Sequence, residues 1–111
     1  MENPKFQIFK GEDGKFYFRL RAKNGEPILA SEAYEKKPGA KDGIASVQKN
    51  APHEERYERK RSKNDKDFFV LKAANGEPIG KSEMYNSADA MENGIESVKT
   101  NGITTNIEDL T

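Results

Sequence analysis

The chain has no cysteine and a single histidine, His53, among its 111 residues. Without thiols it can form no disulfide, thiolate zinc site or iron–sulfur cluster. A lone imidazole followed directly by Glu54 and Glu55 reads as an exposed polar junction rather than a general base or metal ligand. Net charge is missing too: 19 basic residues balance 19 acidic ones, which argues against a generally basic nucleic-acid protein. Apolar residues are scarce, at 33% against 34% charged, so the core must be thin and the surface heavily solvated. They are periodic, and the charges balance, so the scarcity does not signal disorder. No apolar run approaches membrane-spanning length, and Met1-Glu2-Asn3-Pro4 leads into a strand-like stretch without a secretory leader. A cytoplasmic soluble protein is the expectation. There is no glycine-rich phosphate loop after a strand, no Ser–His–acid set and no calcium-loop spacing. The sequence therefore points to no catalytic residues, no metal and no cofactor.

What is present is a repetition. Asn24-Gly25-Glu26-Pro27-Ile28 recurs as Asn75-Gly76-Glu77-Pro78-Ile79, an offset of 75 − 24 = 51. The same offset carries Phe18 onto Phe69, Leu20 onto Leu71, Ser31-Glu32 onto Ser82-Glu83 and Tyr34 onto Tyr85. It also carries Gly43-Ile44 onto Gly94-Ile95 and Ser46-Val47 onto Ser97-Val98, with no gap. The chain is a tandem duplication. Each unit alone would bury too little surface to be more than marginal. One domain is expected, residues 1–111, made of two repeats at about 1–53 and 54–111 that share a core.

Local patterns give the elements of each repeat. Residues 5–10 read as a strand with Phe6 and Ile8 on one face. Over residues 15–23, Phe16, Phe18, Leu20 and Ala22 alternate with Lys15, Tyr17, Arg19, Arg21 and Lys23, placing the first set on the core and the second outward. Asn24-Gly25 signals a type I′ hairpin, and residues 28–31 return as a short strand. A helix follows over 38–50, with Ala40, Ile44, Val47 and Ala51 in one stripe. Gly43 interrupts that stripe at a cost of about 1 kcal/mol against Ala; its recurrence as Gly94 predicts close backbone approach to the sheet or to the other helix. In the second unit, residues 55–61, 67–73 and 79–82 are expected strands. Arg59 stands where Ile8 does, so the first of these is expected to lie differently. Ser87 is a good N-cap for the second helix, and Asn101-Gly102 reads as its C-terminal cap. Residues 103–111 read as a last strand beside the other repeat.

Two β-β-β-α units bearing Asn-Gly-Glu-Pro-Ile, Ser-Glu-x-Tyr and Gly-Ile-x-Ser-Val resemble the YegP-like family of small bacterial proteins. The junction Glu54-Glu55-Arg56-Tyr57-Glu58 and the ending Lys99-Thr100-Asn101-Gly102 strengthen the resemblance, which covers essentially the whole chain. It implies an α+β fold: two tandem β-β-β-α repeats and a C-terminal strand forming a pseudo-twofold antiparallel sheet, with helices on one face and C-terminal strands exchanged. It implies no activity, because the family has no established one, and it supplies no catalytic residue to carry over. The helix starts Lys36-Lys37-Pro38-Gly39 and Ser87-Ala88-Asp89-Ala90 differ between copies, which breaks strict symmetry there.

Two sets of residues are candidate sites. Tyr17, Arg19 and Arg21 face outward on one long strand, and Phe68, Val70 and Lys72 on its copy. If those strands are neighbours, aromatics sit among cations as on a sheet that stacks single-stranded bases. The best-retained polar residues are Ser31, Glu32 and Tyr34 with their copies Ser82, Glu83 and Tyr85. They serve either to close the turn and cover the helix or as twofold-related polar sites. Charge is also unevenly placed. Residues 56–66 carry six bases and two acids, and residues 83–111 six acids and one base; solvated surfaces account for both as readily as docking does. The expected function is a monomeric, non-enzymatic binding module for a protein or small ligand. The alternative is weak single-stranded nucleic-acid binding on the outer sheet face, and no membrane partner is expected.

Overall fold

The computed structural model describes residues 3–111; Met1 and Glu2, which open the stretch read above as leaderless, lie outside the described residues. The first repeat contributes β1 (Lys5–Lys10), β2 (Phe16–Arg21), β3 (Pro27–Ser31) and α1 (Lys37–Asn50). The second contributes β4 (Tyr57–Arg61), β5 (Asp67–Lys72), β6 (Pro78–Lys81), α2 (Ala88–Asn101) and β7 (Ile107–Asp109). All seven strands form one sheet in the order β4-β5-β6-β3-β2-β1-β7. The repeats join at the centre, where β3 pairs antiparallel with β6 through Ala30↔Lys81 and Ser31↔Gly80. Around that junction β6-β5-β4 on one side mirrors β3-β2-β1 on the other, which is the pseudo-twofold; β7 lies beyond β1 without a counterpart.

Both helices pack on one face. Period-two alternation puts Phe6, Ile8, Phe18, Leu20, Phe69 and Leu71 beneath Ile44, Val47, Ile95 and Val98, all 1% exposed or less. Tyr57 covers the corresponding end of β4, its hydroxyl donating to Ala51 O at 2.7 Å. The helix ends meet across the pseudo-axis. A Cβ on Gly102 would lie 2.7 Å from the Cβ of Ala51, its own counterpart in the first repeat, so only one of this pair can carry a methyl group. Gly102 has φ −68°, not a left-handed capping conformation. Gly102 does cap α2 as Asn101-Gly102 signals, its N–H donating to Val98 O at 2.7 Å, but without the left-handed turn; what requires glycine there is this close approach.

The hairpin signal also resolves differently. Gly25 (φ 84°) is left-handed while Asn24 is not, so the turn is not type I′. Gly25 N–H donates to Ala22 O and Ala22 N–H to Glu26 O, each at 2.9 Å. That is a three-residue loop closed by a left-handed glycine, and Gly76 repeats it at φ 87°. In the β4–β5 turn the left-handed position falls on Asp65, φ 60°, where the β1–β2 turn has Gly14.

β4 does not lie differently from β1. Tyr57↔Leu71 and Arg59↔Phe69 repeat Phe6↔Leu20 and Ile8↔Phe18. Arg59 is tolerated there because it sits at the sheet edge, bound to Glu54 at 2.9 Å and Glu92 at 2.5 Å. A 3-10 turn over Glu54–Arg56 takes the first part of the strand expected from residue 55.

β7 occupies only part of residues 103–111 and runs parallel to β1, with Phe6↔Ile107, Gln7↔Glu108 and Ile8↔Asp109. Its direction follows from the duplication. α1 delivers the chain into β4 beside β5; α2 makes the equivalent connection toward β2, where β1 already lies. β7 therefore keeps the direction of β1 and settles one place further out.

Candidate functional site

Among the described residues the outer face of the sheet carries no helix, and Tyr17, Arg19, Arg21, Phe68 and Lys72 all lie on it. They form two separate groups. β3 and β6 stand between β2 and β5, three strand spacings or roughly 14 Å across. The condition that the two long strands be neighbours is not met, because the central β3·β6 pairing holds them apart.

In the first group Phe9 stacks on Tyr17 with centroids 5.6 Å apart, and the Arg19 guanidinium lies 4.5 Å over the Phe9 ring. Tyr17 Oη donates to Asp13 Oδ2 at 2.6 Å, which raises the Tyr17 pKa and lowers that of Asp13. Gln7 organises the arginines. Its Oε1 accepts from Arg19 Nε at 2.8 Å and Arg21 Nε at 2.6 Å, while its Nε2 donates to Glu108 Oε1 at 2.6 Å. Arg21 Nη1 also donates to Gly25 O at 2.7 Å. Gln7 is 7% exposed, so the sequence, which offers it only as a polar strand residue, gives no sign of this function. Burial pulls the Arg19 pKa down, yet a guanidinium remains charged.

The second group is looser. Lys81 Nζ lies 5.0 Å over the Phe68 ring, and Lys72 pairs with Glu58 at 2.8 Å. Hydrogen bonding to Lys72 lowers the Glu58 pKa. Between the groups is a mainly apolar depression of about 180 Å³ bordered by Ala30, Glu32, Val70, Pro78 and Lys81.

The Ser-Glu-x-Tyr copies sit at the ends of the central strands. Ser31 Oγ accepts from Phe18 N–H at 2.8 Å and donates to Glu32 O at 2.8 Å. Ser82 repeats both bonds with Phe69 and Glu83, at 3.0 and 2.8 Å. Tyr34 exchanges two backbone bonds of 2.8 Å with Phe16 and stacks on Phe18 at 6.3 Å. Its ring lies over Gly43, where a Cβ would come within 2.5 Å of the Tyr34 hydroxyl. Tyr85 covers Gly94 in the same way and stacks on Phe69. Burial raises the pKa of both tyrosines. The serines thus bind backbone, the tyrosines cover helix glycines, and the antiparallel β3 and β6 carry Glu32 and Glu83 off in opposite directions. His53 stands at the start of the 3-10 turn, and no group of three or more His, Cys, Asp or Glu among the described residues is placed to hold a metal ion.

The sequence reading missed a pair of clefts. The Asn24-Gly25 turn lies against α2, leaving about 440 Å³ lined by Lys23, Asn24, Asn93, Glu96, Thr100 and Asn101. The Asn75-Gly76 turn and α1 form its twin, about 280 Å³, lined by Ser46, Lys49, Asn50 and Asn75. Each turn therefore meets the helix of the other repeat. The signal was available in the recurrence of Ser46 as Ser97 and Asn50 as Asn101, residues read only as helix pattern.

The electrostatically densest cluster joins the junction, β4 and α2. Lys99 binds Glu54 at 2.5 Å and Glu96 at 3.4 Å, and Arg59 links Glu54 to Glu92. Hydrogen bonds from Lys99 and Arg59 lower the Glu54 pKa, and a hydrogen bond from Arg59 lowers that of Glu92.

No helix of the described residues is long and apolar enough to cross a membrane. Residues 12–58 and 62–109 each match the family described as a domain of unknown function, DUF1508. The UPF0339 protein YegP of Escherichia coli strain K12 is 51% identical over 106 residues, covering 96% of both chains. A UPF0339 protein of Shewanella oneidensis is 53% identical over 106 residues, again 96% of each. The solution NMR structure of a Shewanella oneidensis UPF0339 protein superposes with a TM-score of 0.92 at 52% identity, covering 97% of this chain and 92% of the other. That of E. coli YegP gives 0.93 at 49% identity, covering 100% and 96%. The two family matches end in β4 and β7, the strands by which each unit reaches across to the other half of the sheet. With the motifs, topology and matches in agreement over the whole length, the chain belongs to the DUF1508 family of YegP-like proteins and carries its domain twice.

Proposed function

We propose that this protein is a small, non-enzymatic binding module whose open sheet face meets a protein partner. The observation that carries the reading is that face itself. Both helices pack on the opposite side, leaving Phe9, Tyr17, Phe68 and Val70 half-buried among Arg19, Arg21, Lys72 and Lys81. Aromatic and arginine side chains are the residues that anchor interfaces, and those of the first group are already held in place by Gln7 and Asp13. Such pre-ordering reduces the entropy lost on binding. The proposal includes a single cooperative domain, a monomer, since the fused repeats supply each other's edges, and a cytoplasmic location.

Chemical-shift mapping of labelled protein against fractionated cell extract tests it. The expected result is perturbation of Tyr17, Arg19 and Phe68 by a protein fraction; their indifference to every fraction would refute it. The cation–aromatic contacts favour a second reading, single-stranded nucleic acid. It requires Arg19 and Arg21 to release Gln7 and demands binding that weakens steeply with salt. Titration with mixed single-stranded RNA at low salt that leaves both groups unshifted would remove it.

A further inference from the structure

β1 and β4 are equivalents under the pseudo-twofold, yet their outward sides are treated differently. On β1, Phe6 N–H donates to Asn106 O at 2.9 Å and Leu110 N–H donates to Ile8 O at 2.8 Å. The outward backbone groups of Phe6 and Ile8 are thus consumed by β7. Their counterparts on β4 are Tyr57 and Arg59, because β4 and β1 share one register against their neighbours. Tyr57 N–H is turned back onto Glu54 O by the 3-10 turn. Beyond it the edge is open: among the described residues β4 pairs with β5 alone. Ser62 N–H donates inward to Lys66 O at 2.8 Å, so the antiparallel alternation turns the N–H and C=O groups of Arg59 and Arg61 outward.

We propose that this edge, Arg59–Arg61, is a docking site for an extended acidic segment of a partner protein, which adds to the sheet as a further strand. The docking chemistry already exists in the molecule. β7 brings Glu108 and Asp109 onto the β1 edge, where Lys5 meets Glu108 at 3.5 Å and Lys37 meets Asp109 at 2.6 Å. The β4 edge offers cations of its own, of which Arg59 is already bound to Glu54 and Glu92 and Lys60 lies 3.7 Å from Glu58. Arg59, Lys60 and Arg61 are all exposed, and the basic run continues through Lys63. Arg61 and Lys63 make no ion pair among the described residues, and Arg59 shows by its hold on Glu54 and Glu92 that this edge binds carboxylates. The same charges repel a second copy of β4, which would set three cations against three. They therefore select among strands, excluding a like edge and admitting an acidic one. A nucleic acid would satisfy the cations but not the outward N–H and C=O groups, which pair with extended peptide. The inference is separate from the sheet-face proposal and stands or falls without it.

The test offers isotope-labelled full-length protein a synthetic peptide of residues 105–111, the β7 sequence in trans, and in a parallel titration single-stranded RNA. The expected result is that the peptide shifts the amides of Arg59 and Arg61 and protects them from hydrogen exchange. Binding should weaken about tenfold or more in the Lys60→Glu/Arg61→Glu chain, and likewise for a peptide carrying Glu108→Gln and Asp109→Asn. The peptide variant keeps the test intact should the protein variant fail to fold. Three results would overturn the proposal: no shift at low salt; shifts at Phe6 and Ile8, meaning the peptide merely replaces the resident β7; or RNA moving the β4 amides while the peptide leaves them unprotected.

Discussion

At the scale of single residues, backbone conformation and close approach explain choices that composition alone does not. Asp65 adopts φ 60° at the position where the first copy has Gly14 at φ 79°. A left-handed non-glycine residue is strained, less for Asp than for most. Asp65→Gly should therefore stabilise the protein by about 0.5–1 kcal/mol, read as a higher urea midpoint with unchanged slope. Gly94 makes the opposite case. Alanine is the better helix former by about 1 kcal/mol, but a methyl group there meets the Tyr85 ring. Gly94→Ala should cost about 1–3 kcal/mol from overpacking, by the same measurement, and a neutral result would refute the account of the retained Gly–Tyr pair. This residue-level detail was partly legible in sequence. The recurrence of Gly43 as Gly94 signalled crowding, but the backbone approach expected from it is corrected: side chains, chiefly the Tyr34 and Tyr85 rings, fill the space over these glycines. Gln7 was invisible, because its value lies in three partners on the two strands that flank it, Arg19 and Arg21 on β2 and Glu108 on β7.

At the scale of elements, the strands, hairpins and helices follow from period-two and 3.6-residue patterns, and their bounds move by only a few residues in the structure. What pattern could not give was adjacency. A register of two residue pairs, Ala30↔Lys81 and Ser31↔Gly80, decides that β3 and β6 separate the long strands, and nothing local encodes it. The two helix ends give a test of the pseudo-axis. Gly102→Ala should destabilise by about 1–3 kcal/mol, and adding Ala51→Gly should return part of that loss; strict additivity of the two changes would contradict their contact. The link among the junction, β4 and α2 predicts a pH dependence. Glu54 and Glu92 have folded pKa values below the unfolded one, about 4.3, through hydrogen bonds from Lys99 and Arg59. Their contribution is present above that value and is lost as pH falls through the folded values. Denaturant midpoints should fall with pH below about 4.3, and fall less steeply in an Arg59→Gln/Lys99→Gln chain. Because these groups are exposed, the effect is modest.

At the scale of the molecule, duplication gives one sheet with two edges, and the sequence of each edge matches its treatment. β1 presents Phe6, Ile8 and Phe9 and is covered by β7; β4 presents Arg59, Lys60 and Arg61 and is not. An uncovered apolar edge templates association. A chain ending at residue 106 should thus lose stability and self-associate at concentrations where the full chain sediments as one species. Monomeric behaviour of the shortened chain would contradict the role assigned to β7. A last strand within residues 103–111, beside the other repeat, was legible in sequence; its parallel direction and outermost place were not, since they depend on β1 having already filled the position beside β2.

We propose that the two repeats, joined at β3·β6, unfold as one cooperative structure that holds the open face as a single surface. Residue-resolved urea unfolding by NMR tests it most directly, following Leu20 and Leu29 in the first repeat and Leu71 and Ile79 in the second. The account predicts one shared midpoint for all four. Separate midpoints for the two halves would contradict it.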